Sequence, residues 1–101
     1  EEGERCSDLL KDHRKKVLIM GNHGVMIMGE NVADAFNRLY YFERAAMTYI
    51  QALQTGKPLR IMPDEVAEKV AQATENYCGF SDRHLENLMM ILNNEGSDYA
   101  S

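Results

Sequence analysis

Val17–Gly29, VLIMGNHGVMIMG, is the stretch on which the reading of this chain turns. Two short apolar runs rich in Val, Ile and Met flank the polar tripeptide Asn22-His23-Gly24. Apolar runs of this length, broken by a turn signal, predict two buried strands, about Lys16–Met20 and Val25–Met28. Neither run alternates apolar with polar residues, so both faces of each strand should be covered. Asn22 and Gly24 are residue types that tolerate positive φ and suit the turn, and Gly also lets a neighbouring chain or ligand approach closely. Contact with a substrate is the other reading of Asn22. A turn between buried strands holds a side chain still at the rim of a sheet. A fixed, neutral imidazole is the commonest protein ligand for a transition metal, so His23 is a candidate metal ligand. The alternative is a ring that merely bonds backbone beside its turn. One imidazole cannot hold zinc by itself, because zinc sites use three or four protein ligands.

Outward from this stretch the pattern is helical. Residues 2–13 predict a short helix with Cys6, Leu9 and Leu10 on one face, acids early and Lys, His and Arg late, as the helix dipole prefers. Arg14-Lys15-Lys16 is the polar approach to the first strand. After the second strand, Asn31 is a good N-cap and Asp34 an acid in the first turn. Val32, Ala35, Phe36, Leu39, Ala46, Ile50 and Leu53 then recur at helical spacing until Gly56 and Pro58 stop the helix. Such a span, about 24 residues and about 36 Å, can cross a whole sheet. Lys57–Met62 is a linker. Pro63 and Asp64 open a third helix with Val66, Val70, Ala73 and Tyr77 facing inward and Gly79 closing it. Ser81 is the expected cap of a last helix, in which Leu85, Leu88, Met89 and Leu92 form a stripe and which Gly96 ends. The tail after it reads as loose.

Composition narrows the class. The 101 residues make at most one domain, 45% apolar and 27% charged, with a net charge of −5. That acidity argues against a nucleic-acid surface, which needs clustered Lys and Arg. No apolar stretch approaches the roughly 20 residues that span a bilayer. The opening EEGERC lacks the basic and apolar regions of a secretory signal. Cys6 and Cys78 form neither a CxxC motif nor a disulfide framework, which fits a reducing, cytoplasmic location. Met20, Met26, Met28, Met47, Met62, Met89 and Met90 read as core fillers.

Glu43 lies among Tyr40, Tyr41, Phe42, Ala45 and Ala46. It is either a buried acid with a raised pKa or, the reading preferred here, a structural Glu paired with Arg44, Arg38 or a partner chain. Tyr40, Tyr41 and Tyr49 cannot all face one core, and interface positions suit some of them. His84, between Arg83 and Leu85 near a helix start, is expected to face solvent. Two strands apolar on both faces are not a whole sheet, since even a hairpin with one face covered is marginal. The expectation is therefore that residues 1–101 are the C-terminal portion of one larger domain, completed by the rest of that domain or by another copy of the chain.

The string NHG-VMIMG-ENVADAF, followed by Tyr41-Phe42-Glu43-Arg44-Ala45 and later Gly56, resembles the class II aldolase/adducin family. The matching positions are Asn22, His23, Gly24, Gly29, Ala35, Phe36 and Glu43. Arg83-His84-Leu85-Glu86-Asn87-Leu88-Met89, then Ile91-Leu92, resembles the close of the adducin head domain and of related bacterial proteins. The resemblance implies a three-layer α/β/α sandwich, of which this chain would hold two central strands and about four helices. It also implies a divalent metal, usually zinc, held by three histidines. His23 matches the third of these; the upstream HxH pair and the catalytic acid have no counterpart here. The implied function is part of a metal-dependent enzyme, a lyase-type aldolase, acting on a small hydroxy-carbonyl substrate by retro-aldol or related enolate chemistry. A homo-oligomer is implied as well. The other branch of the family implies a non-catalytic interaction module of the cytoskeleton.

Overall fold

The computed structural model describes residues 1–12, 15–77 and 79–100. His13, Arg14 and Cys78, which entered the reading above, lie outside the described residues. The elements run α1 (Glu2–Leu9), β1 (Val17–Met20), β2 (Gly24–Ile27), α2 (Val32–Gln54), α3 (Asp64–Glu75) and α4 (Phe80–Asn94), an α/β arrangement.

The hairpin forms where the two apolar runs predict it. β1 and β2 pair antiparallel, with Leu18 opposite Met26 and Ile19 opposite Val25. The ladder continues one step further, as Met28 N–H donates to the Lys16 carbonyl at 2.9 Å. His23 N–H closes the turn on the Met20 carbonyl at 3.2 Å. Asn22 takes φ 59, the positive value that the third position of such a turn requires and that Asn tolerates. The expectation that both strand faces are covered is not met. Ile19 is 69% exposed, and its cross-strand neighbour Val25 is also exposed. Leu18 and Met20 on the other face are half-buried. Among the described residues no third strand or helix lies over the outer face, which is why it stays open.

α2 begins as its cap signal predicts, the Asn31 side chain accepting from Asp34 N–H at 2.9 Å. It runs 23 residues and ends at Thr55 and Gly56. Gly56 at φ 69 returns its N–H to the Leu53 carbonyl at 3.2 Å. The approach to α2 depends on Gly29. A Cβ there would meet the Ala35 backbone nitrogen, with Ala35 Cα at 2.8 Å and Asp34 Oδ2 at 2.9 Å. The absence of a side chain is what lets the strand exit pass against the first turn of the helix.

α4 packs on α2, and the hairpin rests against α2 through β2. α4 starts at Phe80, with Gly79 at its N-cap in the left-handed conformation. Ser81 is thus inside the first turn and is not the cap, because Gly79 already reverses the chain. At the other end Ser97 N–H reaches the Leu92 carbonyl (3.0 Å) and Gly96 N–H the Asn93 carbonyl (3.2 Å), a Schellman pair that stops the helix. The tail is less loose than its composition implies, since the Tyr99 hydroxyl donates to Asn93 Oδ1 at 3.1 Å.

α3 departs most from expectation. Every residue of it is exposed, Val66, Val70 and Ala73 included, and Tyr77 beyond it is exposed too. No described element lies over this apolar stripe. The methionines also correct the reading. Met20 and Met28 are half-buried, whereas Met26, Met47, Met62, Met89 and Met90 are on the surface. Among the described residues only Ala33, 7% exposed, is buried. The radius of gyration is 16.7 Å, against about 13 Å for a compact domain of this length. The accessible surface is 8813 Å², roughly 3,000 Å² more than a compact monomer of this mass presents.

Candidate functional site

The sequence leads first to the hairpin turn. His23 sits between the ends of β1 and β2 on backbone fixed by the ladder and by the positive φ of Asn22 and Gly24. Its residue is exposed. Its ring has no hydrogen bond or ion pair among the described residues, so the tautomer-fixing partner expected of a metal-bound histidine is not supplied within them. Nor do the described residues gather three or more His, Cys, Asp or Glu side chains that could hold a metal ion. The turn thus presents one accessible imidazole, and these residues by themselves do not make a metal centre.

Below the turn, the start of α2 carries the main charged network. Asp34 Oδ2 accepts from Glu30 N–H at 3.0 Å, and both carboxylate oxygens accept from Arg38 Nε at 3.1 Å. Arg38 then grips Glu75 in a fork, Nη1 to Oε1 and Nη2 to Oε2, each at 2.6 Å. This is the geometry in which an Arg–carboxylate pair is strongest. Burial opposes the charge on Asp34, but the Glu30 N–H, the Arg38 guanidinium and the positive charge of Lys16 outweigh it and hold its pKa below the usual value. The Arg38 fork does the same for Glu75 against partial burial. The i,i+4 spacing of Asp34 and Arg38 could have revealed the first pair. The link to Glu75 had no sequence signal.

Two expectations fail here. Arg38 is engaged by Asp34 and Glu75 and does not pair with Glu43. Arg44 lies over the Tyr40 ring, its Cζ 5.1 Å from the centroid. Glu43 itself is exposed and makes no ion pair among the described residues, so it is neither a buried acid nor an internally paired one.

His84 corrects a second reading. It is half-buried in the α2–α4 seam, where Nδ1 lies 2.8 Å from Asn37 Oδ1. Its ring centroid is 4.6 Å from that of Tyr40, 5.4 Å from Phe36 and 6.2 Å from Tyr41. Position 84 near the start of α4 meets the middle of α2 because the two helices cross there, which local sequence does not disclose. His84, with Tyr77, Phe80, Arg83 and Asn87, also lines a shallow hollow of about 370 Å³. The three tyrosines divide as expected: Tyr40 is half-buried, whereas Tyr41 and Tyr49 are exposed.

Comparison with known proteins agrees with the hairpin. Residues 1–50 match the family model of the Class II Aldolase and Adducin N-terminal domain. The match takes in the Asn22-His23-Gly24 turn, Gly29, Ala35, Phe36 and Glu43 and ends within α2; residues 83–92 lie beyond it. No curated protein and no solved structure gives a significant match. No helix among the described residues is long and apolar enough to cross a membrane. On the strength of the matched segment, whose turn and helix start are built as described, the chain belongs to the class II aldolase/adducin family.

Proposed function

We propose that this chain forms part of a metal-dependent class II aldolase-like enzyme acting on a small hydroxy-carbonyl substrate, by retro-aldol or related enolate chemistry. One observation carries the reading: within the matched segment, His23 is exposed and its ring has no side-chain partner among the described residues, on a turn whose backbone is fixed on both sides. Such a ring is free to serve as a ligand without first breaking another bond.

The remaining donors, and the catalytic acid, come from outside these residues or from a second copy. The unburied surface is consistent with this. The open face of the hairpin and the apolar stripe of α3 call for cover, and the excess of roughly 3,000 Å² is of the size that obligate interfaces bury. In the completed assembly the hairpin takes its place in a wider sheet between helical layers, the three-layer α/β/α sandwich. Zinc or another divalent ion is the expected metal, and the assembled protein is a homo-oligomer that works in the cytoplasm.

Metal analysis of the dialysed parent protein tests this. About one divalent ion per subunit is expected, with loss of that ion in His23→Ala while its helicity is unchanged. Equal metal in both proteins removes His23 from the site. A parent with no metal at any stage overturns the enzyme reading and leaves an adducin-like interaction module.

A further inference from the structure

Asp34 meets the base of the hairpin from both of its strands. On the β2 side its Oδ2 accepts from Glu30 N–H at 3.0 Å, and the same oxygen stands 2.9 Å from the point where a Cβ of Gly29 would lie. Its own N–H donates to the Asn31 side chain at 2.9 Å. Residues 29–31, the connection between strand and helix, are thus each in contact with Asp34. On the β1 side stands Lys16, whose positive charge favours the Asp34 carboxylate and whose carbonyl accepts from Met28 N–H.

The Asp34 carboxylate is in turn held by Arg38, one turn further along α2. Arg38 Nε lies 3.1 Å from both of its oxygens. Exposed ion pairs contribute little, but both of these side chains are only 19% exposed. The other edge of the guanidinium goes to Glu75 of α3, a separate attachment.

The seat of the hairpin matters because the turn is far from it. From Lys16 to the turn β1 rises about 13 Å, so a tilt of about 10° at the base carries His23 by about 2 Å. Metal–ligand distances hold to about 0.2 Å. The ladder fixes the turn relative to the strands, and only the seat on α2 fixes the strands relative to the rest.

We infer that Asp34 and Arg38 are positioning residues for His23: Asp34 clamps the base of the hairpin to α2, and Arg38 holds the clamp in place. The inference rests on the reading of His23 as a metal ligand.

The test uses the full-length parent, titrated with cobalt(II) and followed by the ion's visible absorption, with hydrogen exchange measured in parallel. Asp34→Asn is isosteric and keeps the Asn31 cap, which uses the Asp34 backbone. D34N and R38Q should each weaken cobalt binding about ten-fold, and D34N/R38Q no further, because the two residues act through one contact. Exchange should rise at Met28 and Glu30 and stay unchanged in α4, which shows that the variants fold. R38K keeps a charge beside Asp34 and should bind within about three-fold of the parent. E75Q breaks the α3 attachment alone and should bind cobalt as the parent does. Parent-like affinity in both D34N and R38Q overturns the inference, as does an equal loss in E75Q and R38Q, which would make the effect one of α3. Failure of the underlying reading looks different: His23→Ala then binds cobalt as tightly as the parent, or the parent binds none, and the inference falls with it.

Discussion

At the hairpin turn the imidazole of His23 stands on immobilised backbone yet has no polar partner among the described residues. At the α2–α4 seam the ring of His84 is bonded to Asn37 at 2.8 Å and lies close to three aromatic rings. The first region is rigid through its main chain and leaves its side chain free. The second is held by its side chains, and its imidazole is already committed. A histidine useful as a ligand needs a fixed Cα and an unspent ring, and only the first region supplies both. Burial marks His84 as structural for the same reason that exposure leaves His23 available.

The sharpest way to break this comparison is Gly29→Ala. The added methyl would collide with the Ala35 backbone and the Asp34 carboxylate, neither of which can retreat without disturbing the start of α2. A loss of about 2–3 kcal/mol is expected in urea unfolding, with the hairpin detached from the helix. Wild-type stability in this variant would show that the turn owes nothing to its seat on α2.

A smaller effect separates the two histidines directly. His84→Ala removes the Asn37 hydrogen bond and the ring contacts in the seam, and should cost about 1–2 kcal/mol. His23→Ala should stay within about 0.5 kcal/mol of wild type, as surface changes do. Equal losses at the two positions would erase the distinction between a committed and an uncommitted ring.

The smallest effect concerns acid. Asp34 and Glu75 both have pKa values lowered in the folded chain. For a carboxylate depressed on folding, the stabilisation is complete above its unfolded pKa, near 4, and is lost as pH falls through the lower folded value. Glu75 is half-exposed, so solvent screening limits its share to on the order of 1 kcal/mol or less. Glu75→Gln should therefore lower stability at neutral pH and converge on wild type in acid, with α3 loosened and the hairpin unaffected. A gap between the two proteins that persists unchanged below about pH 3 would mean the Arg38 fork does not carry the pH dependence.

Much of the molecule was legible because its causes are local. Asn31 caps α2, Gly56 and Gly96 stop their helices, and Asn22 takes the positive φ of the turn, each through the residue's own backbone preferences and hydrogen bonds within a few positions. The hairpin followed from two apolar runs around a turn signal. What failed were statements about neighbours. The stripes of α3 and the surface methionines were assigned to a core that the described residues do not form, and Ser81 lost its capping role to Gly79. His84 was placed in solvent and Glu43 beside Arg38 or Arg44 because periodicity gives a face its composition, not its partner.

The sequence by itself determined the order of the elements, the start and end of α2, the NHG turn and the family of its first half, all properties written in short stretches of chain. Only the tertiary structure decided which charges meet and which rings are spent. It joined Arg38 to Glu75 across 37 positions, wedged His84 between α2 and α4, and left the hairpin's outer face bare. Those outcomes depend on where helices cross and where the chain leaves surface uncovered. Such distances through space are not encoded in the spacing along the chain.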